Sequence, residues 1–210
     1  PATTQMVLLD IPFQGELRKL LVQVPKHGFV YVLDRVTGKL LSAEKFTKVT
    51  WASGYDLATG RPIENPQADY SKTGKAELVY PGPLGGHNWN PVSWNPGTGL
   101  LYFSELQMPS VYKTDNAVGF KENGRRYNMA LDMAGMMDNP AFLAELRSPR
   151  GSLIAWDVAN AKIAWQVPQP MPTNGGTLST AGNLVFHGTA DGRLVATGTP
   201  QELMAGSGGI

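Results

Sequence analysis

The chain has no cysteine among its 210 residues, which excludes disulfides, thiolate metal sites and a cysteine nucleophile within it but leaves its redox compartment open. Its only histidines, His27, His87 and His187, are isolated from one another, which argues against a zinc site. No apolar run approaches the roughly 20 residues that cross a bilayer as a helix, so no membrane span is expected. The start "PATTQMVLLDIPF" also lacks the charged and apolar regions of a signal peptide. Excess charge of one sign is missing too: 18 Lys and Arg face 17 Asp and Glu, and the longest basic run is Arg125–Arg126. No nucleic-acid or anionic-membrane partner is therefore expected. The start at Pro1, inside a strand-like approach, and the glycine-rich end "MAGSGGI" lead us to expect a section of a longer domain.

Glycine and proline are plentiful, with 24 and 16 residues, so few stretches can sustain a long helix. Short β-branched and aromatic runs recur between turn signals and predict a mostly β chain. Strands are expected at Lys19–Pro25, Phe29–Asp34, Pro91–Asn95, Leu100–Glu105, Ser152–Asp157, Ile163–Val167, Leu184–Thr189 and Arg193–Ala196. One turn type recurs as "DRVTG" from Asp34, "DLATG" from Asp56, "NPGTG" from Asn95 and, degraded, "DVANA" from Asp157. In each, an Asp or Asn caps the backbone, and in the first three a closing Gly takes positive φ at low cost. The irregular spacing rules out a strict repeat but suits propeller blades of roughly 40 to 50 residues with insertions. An irregular antiparallel sandwich is the alternative.

Residues 106–150 behave differently: they hold five of the eight methionines and lack strand alternation. Asn139 as N-cap and Pro140 in the first turn predict a short helix through Arg147. The segment reads as a long irregular and helical insertion whose methionines fill gaps in the core.

Three stretches carry a resemblance: "GFVYVLDRVTGKLLSA" (28–43), "GGHNWNPVSWNPGTGLLYF" (85–103) and "NGGTLSTAGNLVFHGTADGRLVA" (174–196). In order and spacing they resemble the pyrroloquinoline quinone (PQQ)-dependent alcohol dehydrogenases, periplasmic quinoproteins with an eight-bladed propeller. The resemblance runs from about Met6 to Ala196 and implies an all-β fold of roughly three to four blades, residues 1–210 forming a partial propeller domain with a divergent tail at 197–210. "LIAWDVANAKIAWQV" is similar to the family's tryptophan-docking motif, with Ala155, Asp157 and Trp165 matching and Ala161 in place of Gly; Trp156 and Trp165 are read as structural.

The implied cofactor is a planar ortho-quinone carrying carboxylates, which a site must neutralise, stack upon and polarise. Arg35 matches a position where the family sets Arg or Lys against the quinone oxygens, a task suited to a guanidinium. On residue type alone Arg35 reads as a solvated turn residue. Asn88 matches an asparagine that binds the cofactor edge, with Trp89 beside it and Gly85 and Gly86 permitting close backbone approach. Without the resemblance, Asn88 reads as a loop residue in left-handed geometry and Trp89 as core filling. Asn174 matches one version of the third stretch, although the family's tryptophan is absent there. His87 receives no catalytic role, and Asp191 with Gly192 reads as a hairpin turn.

The resemblance further implies calcium, a catalytic aspartate and a vicinal cysteine pair, all upstream of the matching region, so no catalytic or metal residue is assigned in this chain. It implies an alcohol substrate, a cytochrome c acceptor and a partner or further segment carrying the remaining blades. The competing reading is a non-catalytic propeller scaffold for protein–protein interaction, in which Arg35 and Asn88 are ordinary turn residues.

Overall fold

The structure, a computed structural model, describes residues 4–114, 136–147, 150–169, 171–172 and 175–198. The chain begins with β1 (Met6–Phe13), β2 (Glu16–Gln23), β3 (Phe29–Asp34) and β4 (Leu40–Lys45), an antiparallel sheet in sequence order. Its first hairpin turns on Gln14 and Gly15, both at positive φ (53° and 86°), the pair of conformations that a two-residue type I′ turn requires. Leu9 and Phe13, Leu20 and Val22, and Val30 and Val32 bury one face of this sheet.

Next come the hairpin β5 (Ala52–Asp56) with β6 (Arg61–Glu64), one turn of 3₁₀ helix (Pro66–Ala68) and the short α1 (Tyr70–Thr73). Then follow β7 (Glu77–Val79), β8 (Ser93–Asn95), β9 (Leu100–Gln107), β10 (Ser110–Tyr112), α2 (Pro140–Leu146), β11 (Arg150–Asp157) and β12 (Lys162–Gln169). β12, β11, β9 and β8 form the second four-stranded sheet in that spatial order, while β10 leaves it to pair with β7. The last sheet is β13 (Thr177–Ser179), β14 (Val185–Gly188) and β15 (Leu194–Thr197). The described residues thus contain two complete four-stranded blades and one of three strands, as the resemblance implies.

The middle sheet is covered on both faces. Leu101, Phe103, Ile154 and Trp156 pack against Leu20, Val22, Val30 and Val32 of the first sheet. Their neighbours in sequence, Tyr102, Leu153 and Ala155, point the other way and meet Val185 of the third. β9 is therefore buried along nearly its whole length and its apolar start, Leu100–Phe103, does not alternate, because a strand with no wet face has no reason to. Trp156 is buried in the first interface, and half-buried Trp165 lies against Tyr102 with ring centroids 5.7 Å apart, so both tryptophans serve packing.

All four recurrent turns close hairpins, including the one at Asp56 between β5 and β6. Asp34 Oδ1 accepts from the Val36 and Thr37 amides, Asp56 Oδ1 from Ala58 and Asn95 Oδ1 from Gly97. Gly38, Gly60 and Gly99 take positive φ. The degraded turn keeps the geometry without the glycine: Asp157 Oδ1 accepts from Asn160 N, and Ala161 sits at φ 51°. The helix forms as expected. Asn139 Oδ1 accepts from Phe142 N at 3.0 Å, Pro140 opens the first turn and Phe142 is buried.

No strand was expected at β1, β4, β5, β6, β7, β10 or β13, and of these β7, β10 and β13 are three residues each with little periodicity to read. The core role foreseen for the methionines fails at Met137, which is 59% exposed; Met129 and Met133 lie outside the described residues.

Ala161→Gly should stabilise the protein by about 0.5–1 kcal/mol, since relief of left-handed strain exceeds the added entropy of the unfolded chain. The thermal unfolding midpoint would rise; an unchanged or lower midpoint would contradict the strain.

Candidate functional site

An up-and-down sheet has two ends, and the connections here divide between them. At one end lie the tight turns: Gln14–Gly15, Asp34–Gly38, Asn95–Gly99 and Asp157–Ala161. Neighbouring sheets are tied together there, as where Asn95 Nδ2 donates to Thr180 O and Asn183 Oδ1 at 3.1 and 3.0 Å. At the other end lie the connectors that enter each sheet or link its two halves: residues 24–28, 84–92, 172 and 175–176, the end of β9, and the β14–β15 turn.

The connector 84–92 is fastened on both sides. Gly86 N donates to Lys26 O at 3.0 Å, and Gly86 O accepts from Leu106 N at 2.7 Å. Gly85 sits at φ 85° against Lys26, where a β-carbon would fall 2.5 Å from the Lys26 side chain; at Gly86 one would fall 2.6 Å from Thr47. Both glycines are therefore set by close approach as well as by turn geometry.

His87 is buried, with Nδ1 at 2.8 Å from the Ser104 carbonyl and its ring edge-on to Phe103. A carbonyl only accepts, so Nδ1 carries the proton. Ser104 Oγ in turn donates to Gly175 O at 2.6 Å, joining this connector to the one that enters the third sheet. Asn88 follows directly: its Nδ2 donates to Leu84 O at 3.0 Å, and its Oδ1 accepts from Trp89 N at 2.9 Å. Trp89 is 70% exposed, so it does not fill core.

Leu84, His87, Asn88, Trp89, Ser104 and Pro172 are among the residues around a cleft of about 450 Å³, within the range of small-molecule sites. Beneath it Glu105 is buried, its carboxylate oxygens accepting from Gln107 Nε2 at 2.9 Å and Gln166 Nε2 at 2.8 Å. A larger cleft, of about 570 Å³ around Phe13, Leu41 and Asn160, lies at the turn end, and its one charged lining group is the acid Glu44. An anionic ligand is repelled there.

The sequence-predicted residues are only partly brought together. Asn88 and Trp89 are adjacent at the cleft; Asn174 lies outside the described residues, next to Gly175, which lines it. Arg35 is elsewhere. It belongs to the β3–β4 turn, with Nη1 2.7 Å from Asp10 Oδ1 and 3.2 Å from Leu9 O, and the length of β3, roughly 20 Å at 3.3 Å per residue, separates it from the connector end. A cation at the connector end is Lys26, whose Nζ donates to Pro83 O at 3.1 Å and keeps two further N–H groups for a ligand.

Lys26 was missed, yet the signal was present. Once the "DxxTG" turns mark one end of every sheet, an arginine inside such a turn points away from the other end, and "VPKHGF", between two strands, is the loop that reaches it. Glu105 had no comparable signal, because its alternation is lost in the doubly buried β9. Among the described residues, no group of three His, Asp or Glu side chains is placed to hold a metal ion.

Burial lowers the pKa of His27, His87 and His187 below the usual 6.5. The unfolded chain therefore binds more protons than the folded one just below pH 6.5, and stability is lost as pH falls through that value. Asp34 and Asp56, lowered chiefly by hydrogen bonds from their own turns, add a loss only further down, near their usual 3.8. The urea midpoint should accordingly be lower at pH 5.5 than at pH 7.5; an equal or higher midpoint would contradict the burial of neutral imidazoles.

Comparison with known proteins places this geometry. The model of the PQQ "glucose/ethanol/alcohol dehydrogenase, beta-propeller domain" family matches residues 58–201. The chain is 48% identical over 195 residues to the quinohemoprotein alcohol dehydrogenase ADH IIB of Pseudomonas putida, covering 93% of this chain and 27% of that protein. It is 42% identical over 199 residues to the 1-butanol dehydrogenase (cytochrome c) of Thauera butanivorans, covering 93% and 28%. The solved structure of the quinohemoprotein alcohol dehydrogenase ADHIIG of Pseudomonas putida superposes with a TM-score of 0.85 at 43% identity, over 93% of this chain and 29% of that one. The chain thus spans little more than a quarter of the length of these relatives.

Proposed function

The chain belongs to the PQQ glucose/ethanol/alcohol dehydrogenase β-propeller family, and from that premise we propose that it forms part of a quinoprotein alcohol dehydrogenase and supplies one side of its cofactor site at the connector end. The observation that carries this reading is that Lys26, Asn88 and Trp89 lie on two connectors of that end joined by the Gly86–Lys26 backbone bond, Asn88 and Trp89 lining the cleft of about 450 Å³ and Lys26 a neighbouring one.

The donor set suits PQQ. Lys26 offers an ammonium to an anionic quinone, and Asn88 retains one N–H and one oxygen lone pair beyond its two loop hydrogen bonds. The exposed Trp89 indole offers a flat apolar face for stacking. When bound, the quinone supplies the two-electron oxidant for the alcohol carbon, with calcium as its Lewis acid. The residues of this chain bind and orient: Lys26 neutralises charge, Asn88 fixes the cofactor edge, and Leu84 and Pro172 give the cleft apolar lining.

The base that takes the alcohol proton and the calcium ligands come from outside these residues in this reading, as does the surface that passes electrons to a cytochrome c. The name of the Thauera relative supports that acceptor. The resemblance to periplasmic quinoproteins supports a periplasmic location. Arg35 drops out of the proposed site, since its guanidinium is committed to Asp10 at the far end of the sheet.

The whole protein, reconstituted with PQQ and calcium, should reduce an artificial dye with a primary alcohol as donor. Lys26→Ala should raise the PQQ dissociation constant about ten-fold or more, the loss of one charge-assisted contact, whereas Arg35→Ala should leave it within about two-fold. The reverse order would move the cofactor to the turn end; no effect from either would favour a scaffold without cofactor.

A further inference from the structure

His87 is 1% exposed and has no part in the chemistry above, yet it sits between the residue that approaches Lys26 and the residue proposed to hold the quinone. Burying an imidazole needs a reason, because each polar atom taken from water must find a partner. One partner is plain: Nδ1–H donates to the Ser104 carbonyl at 2.8 Å. Nε2 has no hydrogen bond among the described residues. The ring's 2.8 Å hydrogen bond thus comes from a strand that does not belong to its own connector, and the Asn90 backbone also bears on the imidazole.

Its consequence lies one residue on. Asn88 must turn its amide so that Nδ2 reaches Leu84 O and Oδ1 meets Trp89 N, while leaving capacity for a ligand. That orientation depends on the backbone at His87. Gly86 immediately before it has no side chain to anchor the loop and is held only through its own N–H and carbonyl. Phe103 supports the imidazole edge-on at 5.7 Å but gives no rotational lock, which the Ser104 bond supplies. Because Ser104 Oγ also donates to Gly175 O, the same residue sets the spacing between the two connectors that flank the cleft.

We propose that His87 is a positioning residue of this site: its Nδ1–H, fixed on the Ser104 carbonyl, sets how Asn88 and Trp89 are presented to the quinone. The inference rests on the reading of Asn88 as a cofactor contact. It requires the donor rather than the ring. An asparagine at 87 places its side-chain N–H close to where Nδ1–H stands, whereas a phenylalanine keeps the ring against Phe103 and loses the donor.

The test uses the whole protein, with PQQ affinity read by titrating the intrinsic fluorescence of the apoprotein and stability read by thermal unfolding. His87→Phe should weaken PQQ binding about ten-fold and His87→Asn should restore it to within about three-fold of wild type, even though Asn fills less of the pocket and lowers the midpoint more. His87→Phe binding as wild type does, or Phe and Asn weakening binding equally, would overturn the proposal in favour of plain packing. Asn88→Ala separates the two levels: if it leaves affinity unchanged, the cofactor reading itself fails, and if it weakens affinity while His87→Phe does not, only the role of His87 falls.

Discussion

The constraint on which the structure depends is that β9 and β11 have no wet face. Leu101 and Phe103 with Ile154 and Trp156 must be covered on one side, and Tyr102 with Leu153 and Ala155 on the other. Each such side chain, fully buried, contributes about 1.5–3 kcal/mol, so a middle sheet with only one neighbour would forfeit a large part of what holds it together. Sheets therefore stack face to face on both sides, and the stacking fixes where every strand end must lie. Cross-sheet hydrogen bonds then set the register at each end, through Asn95 to Asn183 at one and through Ser104 to Gly175 at the other.

That register leaves two ends of different chemistry. In the tight turns the Asp and Asn side chains accept from their own backbone amides, and Arg35 is paired with Asp10, so little polar capacity remains for a ligand. At the connector end Gly86 N donates across to Lys26 O of the first sheet's connector, and Leu106 N of β9 donates to Gly86 O. Backbone partners there take one N–H of Lys26 Nζ, given to Pro83 O, and leave its other two and the exposed face of Trp89. A site forms where rigidity is supplied by main chain and the side chains keep spare donors and apolar faces. The buried Glu105, held by two glutamine amides, stiffens the floor of the same cleft.

Much of this was legible in the sequence. The recurrent Asp/Asn…Gly turns announced hairpins, and β3 begins and ends where its apolar run does; Asn139–Pro140 announced a helix that forms on those residues. These signals are local, and local signals survive into the fold. The resemblance supplied the propeller and brought Asn88 and Trp89 forward. It set Arg35 beside them, because a position in a sequence stretch does not say to which end of a sheet a residue goes. The parity of turns does say so, and it puts Arg35 at the turn end and Lys26 at the connector end. The pairing of β7 with β10 and the burial of Glu105 were not legible, since both depend on partners distant in sequence and on strands too short or too deeply buried to show a period.

The central claim is that ligand binding belongs to the connector end and not to the turn end. Amide hydrogen exchange of the whole protein, with and without PQQ, addresses it directly. The account predicts added protection at 24–28, 84–90 and 104–107, with the turns at 34–38, 95–99 and 157–161 unchanged. Protection that appears at those turns instead, or spreads equally over both ends, would contradict it.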